Sequence, residues 1–263
     1  MPKLAVIGFP VGHSRSPAMQ NAALVELGLA GEWSYEAIDA TPEGFAPRVE
    51  AMPAEGFLGA NVTVPHKGAA LALADTLSET AREIGAANTL SFADVEIHAD
   101  NTDAPGFLAA LPASPAGSRA LVLGAGGAAR AVVWALLGEG AEVAVWNRTE
   151  LRSRNLCADL GGEPVSDPDP WTYGLIVNST AVGLRGEDPF TELPLREDGF
   201  AAGQTVVDMV YADEPTQLLA AAAAAGATTV DGIEVLVRQG ALSLAIWTGR
   251  EAPLDTMRAA ART

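Results

Sequence analysis

Leu121-Val122-Leu123-Gly124-Ala125-Gly126-Gly127-Ala128-Ala129-Arg130 is an apolar run that halts at a glycine and resumes as helix-forming sequence. The spacing fits G-x-G-x-x-G/A between a strand and a helix, with Ala129 in the third position. Gly124 permits a tight turn, and Gly126 lets the backbone come close to a pyrophosphate. A helix opening at Gly127 and Ala128 offers unpaired N–H groups and the positive end of its dipole to an anion. This stretch is therefore expected to open a dinucleotide-binding α/β unit; the plainer alternative is a structural turn.

The next strand ends at Trp146. An NAD enzyme places Asp or Glu there, roughly twenty residues after the turn, for the ribose 2′-hydroxyl. This chain has Asn147-Arg148-Thr149 instead, with Arg152 close behind. A guanidinium forms paired bonds to phosphate and stacks on adenine, so the reading favours NADP(H) over NAD. A solvated basic helix start is the alternative.

The alternation of short apolar runs and helical segments extends in both directions. Downstream, strands are predicted at 175–178, 205–210 and 228–230, with a helix at 215–225 and a long helical region from Ile233. Upstream, Leu111-Pro-Ala-Ser-Pro-Ala-Gly117 reads as a loop. Before it, strands at 4–8, 33–38, 59–64 and 87–92 are separated by helices at 17–27 and 68–73. That order predicts a second, parallel, helix-covered sheet, hence two α/β domains in 263 residues.

Composition narrows the function classes. A net charge of −17 excludes surfaces suited to nucleic acid or anionic membranes, so an anionic ligand needs a local cluster of donors. The single cysteine, Cys157, allows neither an intrachain disulfide nor a cysteine metal site, and it reads as a small packing residue. No apolar stretch reaches membrane-spanning length and no signal-peptide pattern is present. A soluble cytoplasmic protein is expected.

The chain holds only two lysines, Lys3 and Lys67, against fourteen arginines. Arg stays protonated whereas Lys can yield its proton, so the retention of Lys67 points to a place where a proton moves. It closes Asn61-Val-Thr63-Val-Pro-His-Lys67, where Asn61 and Thr63 share one strand face while Val62 and Val64 are expected to pack inward. Ser14 and Ser16, if locally extended, face the same way, although Ser16 alternatively caps the helix after Pro17. Asn88 and the run Asp100-Asn-Thr-Asp103 are further polar residues at strand ends. Such groups suit a ligand with several hydroxyls. Lys67 and Asp103 are a candidate acid–base pair, with a helix N-cap as the alternative role of Asp103.

Taken together, Gly12-His-Ser14-Arg-Ser16-Pro17, Asn61 to Lys67, Ile84-Gly-Ala-Ala-Asn88-Thr, Asn101-Thr-Asp103-Ala-Pro-Gly-Phe107, Gly124 to Gly127, Asn147-Arg148-Thr149, and Asp231-Gly232 through Gln239-Gly-Ala-Leu-Ser243 resemble the shikimate dehydrogenase family, in the family's order and over nearly the whole chain. The resemblance implies NADPH-dependent, reversible reduction of 3-dehydroshikimate to shikimate, a step toward chorismate and the aromatic amino acids. It implies an N-terminal substrate domain (1–103 and 238–263), a Rossmann-type NADP-binding domain (104–237), and C-terminal helices that return to the first. Lys67 and Asp103 would be the catalytic pair. Ser14 and Ser16 would hold the substrate carboxylate. Asn61, Thr63, Asn88 and Gln239 would bind its hydroxyls, and Tyr211 would lie near it. Gly124, Ala125, Gly126, Gly127, Ala128, Asn147, Arg148, Thr149 and Arg152, with Thr180, Met209 and Gly232, would hold the cofactor. No metal is implied, and the assembly would be a monomer or homodimer. Val235 stands where the family often has Met. A broader quinate/shikimate dehydrogenase and a non-catalytic NADP-binding regulator are the competing readings; Ser16 and Arg148 favour the narrower enzyme, and the retained Lys67 and Asp103 oppose the regulator.

Overall fold

The chain builds two six-stranded sheets, and the computed structural model describes residues 2–93 and 96–263. Two units result: Met1–Gly106 together with Leu236–Thr263, and Phe107–Val235.

The first unit runs β1 (Lys3–Gly8), α1 (Ser16–Glu26), β2 (Ser34–Asp39), α2 (Phe45–Ala51), β3 (Phe57–Val62), α3 (Lys67–Leu73), β4 (Thr76–Leu77), α4 (Glu79–Ile84), β5 (Thr89–Ala93) and β6 (Glu96–Asp100), then α5 (Asp103–Ala110). The sheet order is β2-β1-β3-β5-β6-β4. It is not the wholly parallel sheet expected. β1 pairs in parallel with β2 and β3, but β5 is antiparallel to both β3 and β6. Two residues separate β5 from β6, too few for the crossover that a parallel pair needs. One face carries a core of Ile7, Phe45, Val49, Met52, Phe57, Val62 and Leu90. Val62 is buried as expected; Val64 is 62% exposed, because β3 has ended two residues earlier. The register sets Asn61 beside Thr89 and Thr89 beside Asp100, so three strands bring polar side chains into one row.

The second unit runs β7 (Arg119–Leu123), α6 (Gly127–Gly138), β8 (Glu142–Trp146), α7 (Glu150–Leu160), β9 (Glu163–Pro164), β10 (Leu175–Asn178), α8 (Pro189–Glu192), β11 (Thr205–Asp208), α9 (Gln217–Ala224) and β12 (Thr228–Val230). All its pairings are parallel, in the order β12-β11-β10-β7-β8-β9. Numbered within the unit and read from β9, this is 3-2-1-4-5-6, with the direction of winding reversing at β7. Leu121, Leu123, Ile176 and Val206 pack under Leu218, Leu219 and Ala222 of α9. Cys157 is buried, and that burial raises its thiol pKa, as befits a packing residue.

The chain ends in α10 (Gly232–Thr248) and α11 (Leu254–Ala261), which from Leu236 onward belong to the first unit. Trp247 of α10 lies over Gly59 of β3 and donates its indole N–H to Leu90 O at 3.0 Å. Among the described residues no helix is long and apolar enough to cross a membrane.

Candidate active site

Lys67 is the first residue of α3 and Asp103 the first of α5. A cation at the positive end of a helix is locally unfavourable, whereas a carboxylate there is favoured. The two meet: Lys67 Nζ donates to Asp103 Oδ2 at 2.6 Å, with side-chain exposures of 12% and 7%. Asp103 is not the helix cap that was its alternative role. Asn101 does that work, its Oδ1 accepting from the N–H groups of Asp103 and Ala104 while its Nδ2 donates to Ala86 O. Both oxygens of Asp103 are thereby left to side chains.

The second oxygen, Oδ1, accepts from Asn88 Nδ2 at 3.0 Å. Asn88 is pinned at its other end, where Oδ1 accepts from the Thr102 N–H at 2.7 Å. Its Nδ2 also reaches Gln239 Oε1 at 3.1 Å, and Gln239 Nε2 donates to Leu236 O. Asn61 joins the same buried cluster: Tyr35 donates its hydroxyl to Asn61 Oδ1 at 2.8 Å, and Asn61 Nδ2 donates to Ser243 Oγ at 2.8 Å. Of the expected substrate residues, Lys67, Asp103, Asn88, Gln239 and Asn61 thus form one network. α10 reaches it because Gly106 of α5 leaves room; a Cβ there would lie 2.6 Å from Gln239 N.

Thr63 stands just past β3, partly exposed, and its hydroxyl makes no hydrogen bond among the described residues. Ser14 and Ser16 are not in an extended segment, since the intervening Arg15 is helical (φ −86°, ψ −3°). The Ser16 N–H instead donates to Ser14 Oγ at 3.2 Å, and Ser16, lying inside α1, is not its cap. The loop carrying them is tied down by Asp39, whose carboxylate accepts from the Val11 N–H at 2.7 Å. Tyr211 follows β11 in the second unit and is partly buried.

The sequence alone singles out no role for Tyr35, Thr89, Asn101, Thr102 or Ser243, although all but Tyr35 lie within the quoted motifs. Thr89 is brought in by strand register, which no local pattern announces. Ser243 had a readable signal: it lies four residues after Gln239 on one helix face.

In the second unit, Leu123, Trp146, Asn178 and Asp208 end four adjacent parallel strands in one register row. The expected cofactor residues follow directly: Gly124 and Ala125 after β7, Asn147 to Thr149 after β8, Thr180 after β10, and Met209 after β11. Gly124 has φ +115°, and a Cβ there would meet Ser179 Oγ at 2.7 Å. Gly126 is the N-cap of α6 with no side-chain cap, and a Cβ there would meet nothing within 4 Å. Gly127 and Ala128 open the helix. Free N–H groups beside open space fit a pyrophosphate. Arg148 is 84% exposed and lies 3.7 Å from the Glu192 carboxylate, while Arg152 is exposed on α7. Thr180 donates both its N–H and its hydroxyl to Asn178 Oδ1. Gly232 packs against the carbonyls of Met209 and Val210, where a side chain would collide.

One member of that row is a buried carboxylate. Asp208 accepts from Asn178 Nδ2, the Val210 N–H and the Thr216 hydroxyl, yet its pKa is raised because burial outweighs those bonds.

A doubly wound sheet with this glycine turn, in a chain that also pairs a partly buried lysine with a buried carboxylate, defines a dinucleotide-dependent oxidoreductase. Comparison with known proteins specifies it further. Residues 6–90 match the shikimate dehydrogenase substrate binding domain, 109–168 the shikimate/quinate 5-dehydrogenase model, and 232–262 the shikimate 5′-dehydrogenase C-terminal domain. The shikimate dehydrogenase (NADP(+)) of Anaeromyxobacter sp. (strain Fw109-5) is 45% identical, over 97% of this chain and 94% of its own. The Thermus thermophilus shikimate 5-dehydrogenase, solved with NADP(H) and shikimate, superposes with a TM-score of 0.90 at 43% identity, covering 100% of this chain and 99% of its own. The Aquifex aeolicus shikimate dehydrogenase superposes at 0.92 with 38% identity, covering 100% and 98%. The chain belongs to the shikimate dehydrogenase family.

Proposed function

We propose that the chain catalyses the reversible, NADPH-dependent reduction of 3-dehydroshikimate to shikimate, a step toward chorismate and the aromatic amino acids. The observation that carries this reading is the 2.6 Å pair between the partly buried Lys67 and the buried Asp103, held by Asn88 in the unit that matches the substrate-domain model. The cofactor supplies or accepts hydride. Each hydride transfer at a carbinol carbon requires a proton to leave or join its oxygen. The Lys67–Asp103 pair takes up that proton in oxidation and returns it in reduction, a role worth typically 10²–10⁴-fold in rate. Asn88 holds one Asp103 oxygen, so the other stays on Lys67. Asn61, Thr63, Asn88 and Gln239 offer amide and hydroxyl groups to the substrate's ring hydroxyls, and Ser14 and Ser16 offer hydroxyls to its carboxylate, with Tyr211 beside it.

On the cofactor side, Gly124 to Ala128 receive the pyrophosphate and Arg148 the 2′-phosphate, with Asn147, Thr149 and Arg152 beside it. Thr180, Met209 and Gly232 line the cofactor side. Residues 1–103 with 238–263 serve as the substrate domain and 104–237 as the NADP domain. We place the activity in the cytoplasm; support is compositional, a single buried cysteine. The test is a shikimate-dependent rise in NADPH absorbance with purified protein, run beside quinate and NAD⁺. Turnover of shikimate with NADP⁺ is expected to be the most efficient combination. No turnover, or higher efficiency on quinate with NAD⁺, overturns the proposal.

A further inference from the structure

Beneath the proposed substrate contacts lies a knot of three hydroxyls that no ligand needs to touch. Ser243 Oγ is 2.9 Å from Thr89 Oγ1 and 3.1 Å from Thr102 Oγ1, and the two threonine oxygens are 3.2 Å apart. Ser243 has no exposed surface, and Thr89 and Thr102 are 1% and 3% exposed. The knot joins three elements that are distant in sequence: β5, the turn before α5, and α10.

Two carboxamides hang from it. Asn61 Nδ2 donates to Ser243 Oγ at 2.8 Å, its shortest contact; Asn88 O and Thr89 Oγ1 lie farther off, at 3.2 and 3.4 Å. Asn88 Nδ2 donates to Thr102 Oγ1 at 2.9 Å. One donor is fixed, because an amide N–H can only donate. Asn61 supplies the hydrogen to Ser243, whose own hydrogen then goes to Gln239 O at 3.1 Å or to a threonine of the knot. Tyr35 holds the opposite end of Asn61, donating to Oδ1. An amide gripped at both ends has one orientation, so which of its edges meets a ligand hydroxyl is settled before binding.

We infer that Ser243 is a positioning residue for substrate recognition. It acts through Asn61, fixing the amide that meets a ring hydroxyl, with Tyr35 as its counterpart on the far side. The inference rests on the reading of Asn61 as a substrate contact, and it assigns Ser243 no contact with the reacting atoms. The alternative is that the knot merely packs α10 against the sheet.

The two differ in what they move. Removing the Ser243 hydroxyl leaves a buried N–H of Asn61 with only poorer acceptors and frees the amide to turn. Ser243→Ala is expected to raise KM for shikimate about tenfold, with kcat changed far less, the scale of one lost hydrogen bond. Calorimetric affinity for NADP⁺ should stay unchanged. In an Asn61→Ala background, the same substitution should cost almost nothing, since the group it acts through is gone. Tyr35→Phe is the second variant and covers the case in which Ser243→Ala does not fold. It removes the grip on Oδ1 without adding volume and should shift KM in the same sense. A lowered melting temperature with unchanged KM in both variants makes the knot purely structural and overturns the inference, as does a full Ser243→Ala penalty in the Asn61→Ala background. Unchanged KM in Asn61→Ala alone would instead overturn the reading of Asn61, and so separates the two failures.

Discussion

Lys67 stands where elementary electrostatics would not put a cation. It begins α3, at the positive end of the helix dipole, in a chain that elsewhere meets its need for positive charge almost entirely with arginine. A local rule broken at a partly buried position is a signature of function, and the 2.6 Å contact with Asp103 supplies the compensation. Lys67→Ala is expected to lower kcat by at least about 100-fold with a smaller effect on KM, because the lost interaction belongs to the transition state. Lys67→Arg should fail nearly as badly, since a guanidinium does not release its proton. Steady-state kinetics of both variants decide the matter: near-normal turnover by the arginine variant would reduce Lys67 to a fixed charge. Arg148 invites the complementary measurement. Its guanidinium is exposed and its ion pair with Glu192 is long, at 3.7 Å, so that pair does little to hold it. Arg148→Leu should weaken NADP⁺ binding by about tenfold or more while leaving NAD⁺ affinity nearly unchanged, read by calorimetric titration. Equal losses for both cofactors would place Arg148 away from the 2′-phosphate.

Elements set how finely those side chains are placed, and α10 is the clearest case. It brings Gln239 against α5 only because residue 106 is glycine; a Cβ would fall 2.6 to 2.7 Å from the backbone and Cβ of Gln239. Backbone cannot yield as a flexible side-chain tip can. Gly106→Ala should therefore cost about 1–3 kcal/mol of stability. It should also depress kcat, because Asp103 and Gln239 ride on the two helices forced apart. Thermal denaturation and kinetics test both halves; full activity with an unchanged melting temperature would show that the helices shift freely. Much of this was open to sequence reading. Gly124 to Arg130 declared the turn of the parallel sheet, and the helix that follows it starts at Gly127. The reading failed where pairing depends on distant partners. Nothing near Thr89 reveals that β5 runs antiparallel to β3, yet that pairing delivers Thr89 to Asn61. A cap is the alternative reading of Asp103 because helix-forming sequence follows it; Asn101, two positions earlier, is an equally good capping residue, and only the hydrogen bonds distinguish them.

The whole chain carries a charge of −17, and the carboxylates whose pKa values are displaced fall into two groups. Glu55, Glu187 and Asp198 have pKa values lowered, chiefly by hydrogen bonds from Arg48, the Arg185 N–H and Arg196 respectively. They lie at the surface, and whatever they add is present above their ordinary values and lost as pH falls through the lowered ones. Asp208 has the opposite sign. Its burial raises the folded pKa above the ordinary 3.8, so the native state holds that proton more tightly than the unfolded chain. Below 3.8 both states are protonated and there is no pH dependence from this group. From there upward, the unfolded chain releases the proton first, and unfolding becomes easier until the folded value is passed. Asp208→Asn keeps an acceptor for Asn178 and Val210 and removes the titration. Its stability relative to the parent chain should therefore climb as pH rises above about 4 and then level off. Urea unfolding of both proteins across pH 4 to 8 measures that difference directly. A difference that is flat, or that shrinks with rising pH, would mean that Asp208 ionises in the folded protein as easily as in the unfolded chain. Because Asn178 links Asp208 to Thr180, the same titration should reach the proposed cofactor site. NADP⁺ affinity of the parent should then vary with pH more steeply than that of Asp208→Asn, in which the ligand's own 2′-phosphate, with a second pKa of about 6, still titrates.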